Sequence, residues 1–392
     1  MNRRDVLIRA PEGGANQSGL RDRNARLVLS LLRRHGALAG AEIARRSGLS
    51  AQTVSNITRA LEADGLLRRG AAVKGKVGKP SIPMALEPNG VQSLGLNIGR
   101  RSAELALVDF NGRLIDACET TYAFPEIEAV FGFLDHGIAR FARTCPRAFQ
   151  RMAGIGVARP NEIWNWLELV NAPASAMQKW QDLNLEEEVS HRTELEAFIR
   201  NDATSACVAE HLLGRGGEFR DFAYIFVGAF VGGGLVLDGK IVWGRTGNTA
   251  ALGPLPLPGS SQRGTQLLNV ASLHVLETAL QARGLDIQAL RDSADDWSAF
   301  EPEVSDWVDE TAANLGLAAA SIASVVEVQA ILLDGAFPAA LRARLAEKTA
   351  AALADIDLTG VEKPRIEEGS IGRRARSLGA ALLPIHSKYF VT

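Results

Sequence analysis

Apolar residues at Leu27, Val28, Leu31 and Leu32 fall on one face of a helix, which predicts a helix over residues 24–34, stopped by Gly36. A second, shorter helix is predicted over 40–47, with Ala41, Ile43 and Ala44 turned inward. Gly48-Leu49-Ser50 then reads as a tight turn, because Gly48 tolerates positive φ and Ser50 can cap the helix that follows. That third helix, over 51–64, buries Val54, Ile57 and Leu61 and turns Gln52, Thr53, Ser55, Asn56 and Arg59 outward; Gly65 ends it. An apolar start at Leu66-Leu67, the loop Lys74-Gly75-Lys76-Val77-Gly78-Lys79-Pro80 and a run through Ile82, Met84 and Leu86 predict a two-stranded wing. The pattern over 21–87 is that of a winged helix-turn-helix.

From residue 88 the period changes. Residues 94–116 alternate as a strand, meet the hairpin signal Asn111-Gly112, and resume at Leu114. Residues 223–242 repeat the plan, with Asp238-Gly239 at the turn. Two hairpins of one design, roughly 130 residues apart, predict a duplicated α/β body with a cleft between its lobes. Helices are expected over 127–143, 267–283, 304–326 and 339–355. The first lobe is expected to run over 88–203 and to be completed by 374–392, with the second lobe over 204–373. Pro88-Asn89-Gly90 is the expected hinge between head and body, and Pro254–Gly259 a stiff loop. Residues 1–20, polar with scattered charge, are expected to be disordered.

Charge divides the chain at the same boundary. Residues 1–86 hold 16 Lys and Arg against 6 Asp and Glu, a net +10, while the remainder stands at −12 beneath a total of only −2. Duplex DNA is a line of phosphates, so a cationic module gains affinity by releasing counterions, and the anionic body resists the same contact. The short polar side chains early in the third helix can reach base edges in a major groove. The candidate DNA contacts are therefore Ser50, Gln52, Thr53, Ser55, Asn56 and Arg59, with Lys74, Lys76 and Lys79 of the wing on phosphate or minor groove. An inert three-helix unit with solvated bases is the competing reading.

Length and composition allow two or three domains with sizeable cores. No apolar run reaches membrane-span length and no signal peptide is legible, so a cytoplasmic protein is expected. Cys118, Cys145 and Cys207 lie far apart without a CxxC, and read as three buried thiols. His191, His211 and His274 lack metal-ligand spacing.

The order of winged helix, basic wing and two hairpin-led lobes resembles the ROK family of bacterial sugar kinases and sugar-responsive repressors. The stretches that carry the resemblance are Gly78-Lys79-Pro80, Gly154-Ile155-Gly156-Val157, Asn201-Asp202-Ala203, Gly232-Gly233-Gly234, Gly247-Asn248 and Leu378-Gly379-Ala380-Ala381. It implies a sugar-kinase-like, actin-like (ribonuclease H-like) α/β body, and the head places the chain on the repressor branch.

Against the family's kinases, Asn97-Ile98-Gly99-Arg100-Arg101 stands where Asp-Ile-Gly-Gly-Thr meets phosphates and metal, and an Asn supplies no anionic oxygen for magnesium. Ala229 and Phe230 replace the hydroxyl and a glycine of the second phosphate loop, and Asp334-Gly335-Ala336 stands at the third cluster. The sugar-binding Glu corresponds to Ala251 and the zinc-binding His to Pro254, while the zinc cysteines are replaced within residues 260–266. The expectation is no catalysis, no cofactor and no metal. Asn171, Asn201 and Asp202 match sugar-contacting positions, Asp202 standing where the kinases keep their general base. Asn201-Asp202 also reads as a helix cap, and Asn171 as a turn residue. Trp164, Trp166 and Trp180 are either sugar-stacking or core; Arg100, Arg101 and Arg159 are either surface arginines or an anion site.

The resulting expectation is a homodimeric or homotetrameric repressor that reads a double-stranded, near-palindromic operator and answers to a small carbohydrate-like effector. The alternatives are a sugar kinase with an accessory head, and a regulator that has lost its effector. Binding of the full chain to duplex DNA should weaken at least about a hundredfold between about 50 and about 200 mM salt. A flat salt response would remove the electrostatic argument.

Overall fold

The computed structural model describes residues 17–72, 82–166, 172–258, 265–293 and 296–391. The head comprises α1 (Gln17–His35), α2 (Gly40–Ser47) and α3 (Ala51–Ala63), followed by strands β1 (Leu67–Arg69) and β2 (Met84–Leu86), paired antiparallel with Leu67 opposite Leu86. α1 begins ahead of the expected start at residue 24 and takes up residues 17–20 of the stretch expected to be disordered. Gly48 adopts φ +70°, and the Ser50 hydroxyl accepts the Thr53 amide at 3.1 Å, as the turn-and-cap pattern requires.

The body is two five-stranded mixed sheets of one topology. In the first, β3 (Gln92–Ile98), β4 (Ser102–Val108), β5 (Leu114–Thr121), β6 (Met152–Arg159) and β7 (Ala197–Asn201) lie in the order β5-β4-β3-β6-β7. In the second, β8 (Phe222–Val227), β9 (Val231–Leu237), β10 (Lys240–Ile241), β13 (Ala330–Gly335) and β14 (Arg365–Glu368) lie in the order β10-β9-β8-β13-β14. Each has an antiparallel hairpin on one side and parallel strands on the other, the ribonuclease H-like arrangement. The proline-rich loop carries β11 (Pro256–Leu257), which pairs with β12 (Thr265–Gln266).

Strand alternation assigns the layers. Leu94, Leu96 and Ile98 of β3 enter a core with Val130, Phe131 and Leu134 of α4 (Ile127–Thr144); α5 (Ala174–Asp182) and α6 (Leu185–Thr193) close that side. In the second lobe Ala223, Ile225 and Val227 of β8 face a core with α8 (Leu273–Ala282), α10 (Glu303–Ala323) and α11 (Ala339–Asp355), beside the short α9 (Ile287–Asp292). Phe222, Tyr224 and Phe226 face the other way, toward α7 (Asp202–Leu213). The single helix expected over 267–283 breaks at Ser272. There the hydroxyl accepts the Val231 amide at 2.9 Å and the carbonyl accepts Trp307 Nε1 at 3.0 Å.

The helix α12 (Ala375–Tyr389) returns to the first lobe and packs on β3, β4 and β6, while also crossing α7. The approach is too close for side chains. A Cβ on Gly379 would stand 1.7 Å from the Ser205 carbonyl oxygen, and one on Gly156 of β6 would stand 1.8 Å from that of Ala380.

The head is not a separate bead. Val28, Leu29 and Leu32 of α1 share one buried cluster with Phe110 of the first lobe and with Ile385, Tyr389 and Phe390 at the end of α12. Phe110 meets Tyr389 edge-on at 5.3 Å and stacks on Phe390 at 5.7 Å. Arg26 donates to the Ser387 carbonyl at 3.1 Å, and the Val391 amide donates to Ser30 Oγ at 2.9 Å. The expected hinge at Pro88–Gly90 is a 3-10 turn with Gly90 buried, and a Cβ there would stand 2.6 Å from the Gly65 carbonyl oxygen. Buried polar groups sit at this junction. The Arg33 guanidinium lies 4.7 Å over Phe390, its Nη1 and Nη2 buried without hydrogen-bond partners, and burial lowers its pKa to about 10 despite Asp109.

Burial lowers His386 to about 3, with Arg33 and His211 adding to the effect. His211 is lowered to about 4, mainly by burial, with Arg33 and Arg34 adding to it and the Gly239 and Gly216 backbones opposing it. Both folded values lie below the ordinary imidazole value, so the unfolded chain takes up protons first as pH falls. Stability is full above about pH 6.5 and declines toward pH 4 and below, by up to about 2 kcal/mol per histidine near pH 5. Urea unfolding near neutral pH and near pH 5 should show this loss, and His386→Asn should reduce the difference. An unchanged pH slope in the variant would remove His386 from the account.

Candidate functional site

On the head, α3 turns one polar face outward. Ser50, Gln52, Ser55, Asn56 and Arg59 are exposed and Thr53 is half-buried. The side chains are already ordered among themselves: Gln52 Nε2 donates to Asn56 Oδ1 at 3.2 Å, and Arg59 Nη2 to Ser55 Oγ at 3.3 Å. Arg45 and Arg46 of α2 are both bound to Glu42, whereas Arg68 at the base of the wing is exposed. Lys74, Lys76 and Lys79 lie outside the described residues.

Between the lobes is a cavity of about 510 Å³ lined by Arg100, Asn201, Asp202, Phe230, Asn248, Ala251, Pro254 and Arg376, among others. Its floor is the N-terminus of α7. The Asn201 side chain caps that helix, its Oδ1 accepting the Thr204 amide at 3.0 Å, so the capping reading holds for it. Asp202 Oδ1 accepts the Ala203 amide at 3.0 Å, and Oδ2 stands 3.8 Å from Arg376 Nη1. Both residues line the cavity as well. Asn171 lies outside the described residues. Trp180 is core, 3% exposed, its Nε1 donating to the Pro125 carbonyl at 2.7 Å. Trp164 is half-buried, with the Arg159 guanidinium 5.6 Å from its ring.

Two turns, one from each lobe, meet across the cleft. Arg100, from the turn between β3 and β4, lies with its guanidinium 4.0 Å over the Phe230 ring, from the turn between β8 and β9. Burial lowers its pKa to about 10, with Asp202 opposing and Arg376 adding to the effect. Arg376 lies 5.2 Å over Phe226, its Nε buried without a partner. A second cavity, of about 560 Å³, opens beyond this contact and includes Asn97, Glu104 and Arg376 in its wall. The Asn97 Oδ1 is buried without a hydrogen bond. Asp334 is fully buried and engaged in structure: it accepts from the Gly372 amide at 2.8 Å, Tyr224 hydroxyl at 3.0 Å and Arg342 Nη1 at 2.9 Å.

Sequence reasoning missed Arg376, far along the chain from the cleft it lines. It also missed Arg200 and Arg245, which meet Arg159 beside the cleft. No local signal marks them: Arg200 and Arg245 are isolated in the sequence, and Arg376 merely follows Arg373-Arg374, until the fold brings each to the cleft. All three cysteines are free, but only Cys207 is buried. Cys118 lies on β5 at the sheet edge and Cys145 at the end of α4, both half-exposed. Among the described residues no group of three or more His, Cys, Asp or Glu is placed to hold a metal ion, and no helix is long and apolar enough to cross a membrane.

A family model for the ROK family matches residues 93–386. The chain belongs to the ROK family. A MarR family model matches residues 18–76 of this ROK protein. It is 25% identical over 258 residues to the N-acetylglucosamine repressor of Escherichia coli O157:H7, 64% of this chain and 62% of that relative. It is also 25% identical to the xylose repressor of Caldicellulosiruptor bescii, over 61% of this chain and 59% of the relative. The chain thus spans less than two thirds of the length of these relatives. A solved ROK family transcriptional regulator, a homolog of the E. coli MLC protein, shares the fold with a TM-score of 0.71 at 21% identity, over 94% of this chain and 97% of its own. A ROK hexokinase from Thermus thermophilus superposes with a TM-score of 0.54 at 25% identity, over 76% of this chain and 98% of its own.

The Arg100–Phe230 contact should be measurable as a coupling across the cleft. In a double-mutant cycle, Phe230→Leu and Arg100→Met should show an interaction of about 1 kcal/mol in unfolding free energy. Strictly additive effects would mean that the stack does not hold the two loops.

Proposed function

We propose that this chain is a DNA-binding transcription regulator, a repressor of carbohydrate-related genes controlled by a small sugar or sugar derivative held between the lobes. The observation that carries the reading is the shared core of head and body. A winged helix is built onto α12, the helix that also crosses α7 at the floor of the cleft. Relatives named as N-acetylglucosamine and xylose repressors support it. The functional units are the head over 21–87, a first lobe over 88–203 with 374–392, and a second lobe over 204–373. The protein works as a homodimer or homotetramer on a near-palindromic DNA operator in the cytoplasm, without cofactor or metal.

In this reading Gln52 and Asn56 present amide edges that can pair with bases in the major groove, with Ser50, Thr53, Ser55 and Arg59 beside them. Lys74, Lys76 and Lys79 contact the backbone without reading sequence. Asn201, Asp202 and Asn171 accept and donate to effector hydroxyls. α7 links the two sites, since Asp202 opens it in the cleft and His211 in its last turn neighbours Arg33 of the head. A ligand that binds at Asp202 changes the closure of the lobes, and the α7–α12 pair carries that change to the placement of the head. Operator and effector are then reciprocally coupled, because linkage acts in both directions.

The body carries no phosphoryl transfer in this account. Asn97 offers no anionic oxygen for magnesium, Arg100 lies over Phe230 where phosphates would pass, and Asp334 is held in an internal network.

Operator binding measured across an effector titration tests the reading. Asp202→Ala should leave operator affinity without ligand within about twofold while weakening ligand-induced release by roughly tenfold or more, the size of one charged hydrogen bond. Unchanged effector sensitivity would return Asp202 to a purely local role, and ADP formation above background would favour a kinase. On the DNA side, Gln52→Ala or Asn56→Ala should relax sequence preference by about 1–3 kcal/mol, whereas Lys76→Ala should weaken all sequences alike. The reverse pattern would exchange the roles of helix and wing.

A further inference from the structure

Arginines of the anionic body are mostly neutralised where they stand. Arg140 pairs with Asp116, Arg192 with Glu188, Arg215 with Glu218, Arg291 with Glu277, Arg342 with Asp334 and Arg374 with Glu104. Several others have no ion pair among the described residues, and three of these share one cavity. Arg159 at the end of β6, Arg200 at the end of β7, and Arg245 after β10 converge on a cavity of about 420 Å³. Among its described lining residues there is no carboxylate, and none of the three arginines has an ion pair among the described residues. Two of the heads are held by other means. Arg159 lies over Trp164 and donates from Nη1 to the Pro160 carbonyl at 3.3 Å; Arg200 lies 5.2 Å over Trp243 and donates from Nη1 to the Ile199 carbonyl at 2.7 Å.

This cavity shares Pro160, Asn161 and Asn201 in its wall with the cleft containing Asp202. A hydroxylated ring above Asn201 and Asp202 therefore has a cationic chamber beside it. We propose that the three arginines form an oxyanion subsite, and that the effector is an acidic sugar whose carboxylate or phosphate enters it while its hydroxyls meet Asn201 and Asp202. Guanidinium forks match both oxyanions by paired hydrogen bonds, and converging positive charges in a net-negative body have no structural benefit without an anion between them. The subsite also accounts for Ala251 and Pro254. An effector anchored by charge relies less on the Glu and His contacts that a neutral hexose would need.

The proposal rests on the reading that the cleft holds an effector, and the test separates the two. The full-length chain is titrated calorimetrically, with melting followed in parallel, against glucuronate, galacturonate and gluconate, against glucose 6-phosphate and inorganic phosphate, and against neutral glucose and xylose. At least one acidic probe should bind and raise the melting temperature, while its neutral counterpart binds at least about tenfold more weakly. Selective binding of the sugar acids names a carboxylate as the anion, and selective binding of glucose 6-phosphate or inorganic phosphate names a phosphate. Arg245→Gln and Arg200→Gln, both at exposed positions, should each weaken the acidic probe about tenfold or more, and Arg245→Gln should do so without changing the melting temperature of the unliganded chain. Failure of every acidic probe, equal binding of neutral and acidic sugars, or indifference to both substitutions would overturn the subsite. Operator release by a neutral sugar would overturn it while leaving the regulator reading intact. Binding of an acid with no effect on DNA affinity would leave the subsite and defeat the regulator.

Discussion

The crossing of α7 and α12 is the constraint on which the rest of the molecule depends. Gly379 lies against the Ser205 carbonyl, and Gly156 of the first sheet against that of Ala380, each too close for a Cβ. Helices held at backbone distance behave as one piece, because close-packed interiors do not deform continuously. Through this piece the first sheet, on which α12 lies, is joined to the second, on which α7 lies. The far end of α12 carries Ile385, Tyr389 and Phe390 into the head. Cleft, lobes and winged helix thus share one mechanical element.

Charge completes the arrangement. Aromatic rings support guanidiniums repeatedly: Arg100 over Phe230, Arg376 over Phe226, Arg33 over Phe390 and Arg200 over Trp243. A ring face gives a cation an attractive surface where a carboxylate would neutralise it. Beside the cleft, Arg200 is held in this way with no ion pair among the described residues. At the head junction the same stacking leaves a buried arginine whose charge acts on His211 and His386, both held below the ordinary imidazole value, in a local polar core whose integrity depends on close packing.

Much of the architecture was legible from local pattern. Helical spacing around Val54, Ile57 and Leu61 and the cap at Ser50 sufficed for the third helix of the head, because caps and periodicity act within a few residues. The turn signals Asn111-Gly112 and Asp238-Gly239 sufficed for the twin hairpins, and the two sheets share one strand order. What escaped is non-local. Phe110 reads as an ordinary turn-flanking residue until Tyr389 and Phe390 arrive from the other end of the chain. Pro88–Gly90 has hinge composition, yet the close approach of Gly65 fixes it. The helix over 267–283 had the right period, and tertiary bonds to Ser272 interrupt it. In the cleft, Asn201 and Asp202 were legible as a pair, but Arg376 was not, since its role depends on where α12 begins.

Packed on one another, α1 of the head and α12 of the body form one cooperative unit. Hydrogen–deuterium exchange resolved to peptides over residues 26–34 and 380–389, followed through a denaturant series, tests it directly. Both segments should open with the same free energy, to within about 1 kcal/mol, and Arg33→Met should shift both together. Exchange of 26–34 at much lower free energy, with 380–389 unaffected by the substitution, would show a head that opens on its own and would contradict the account.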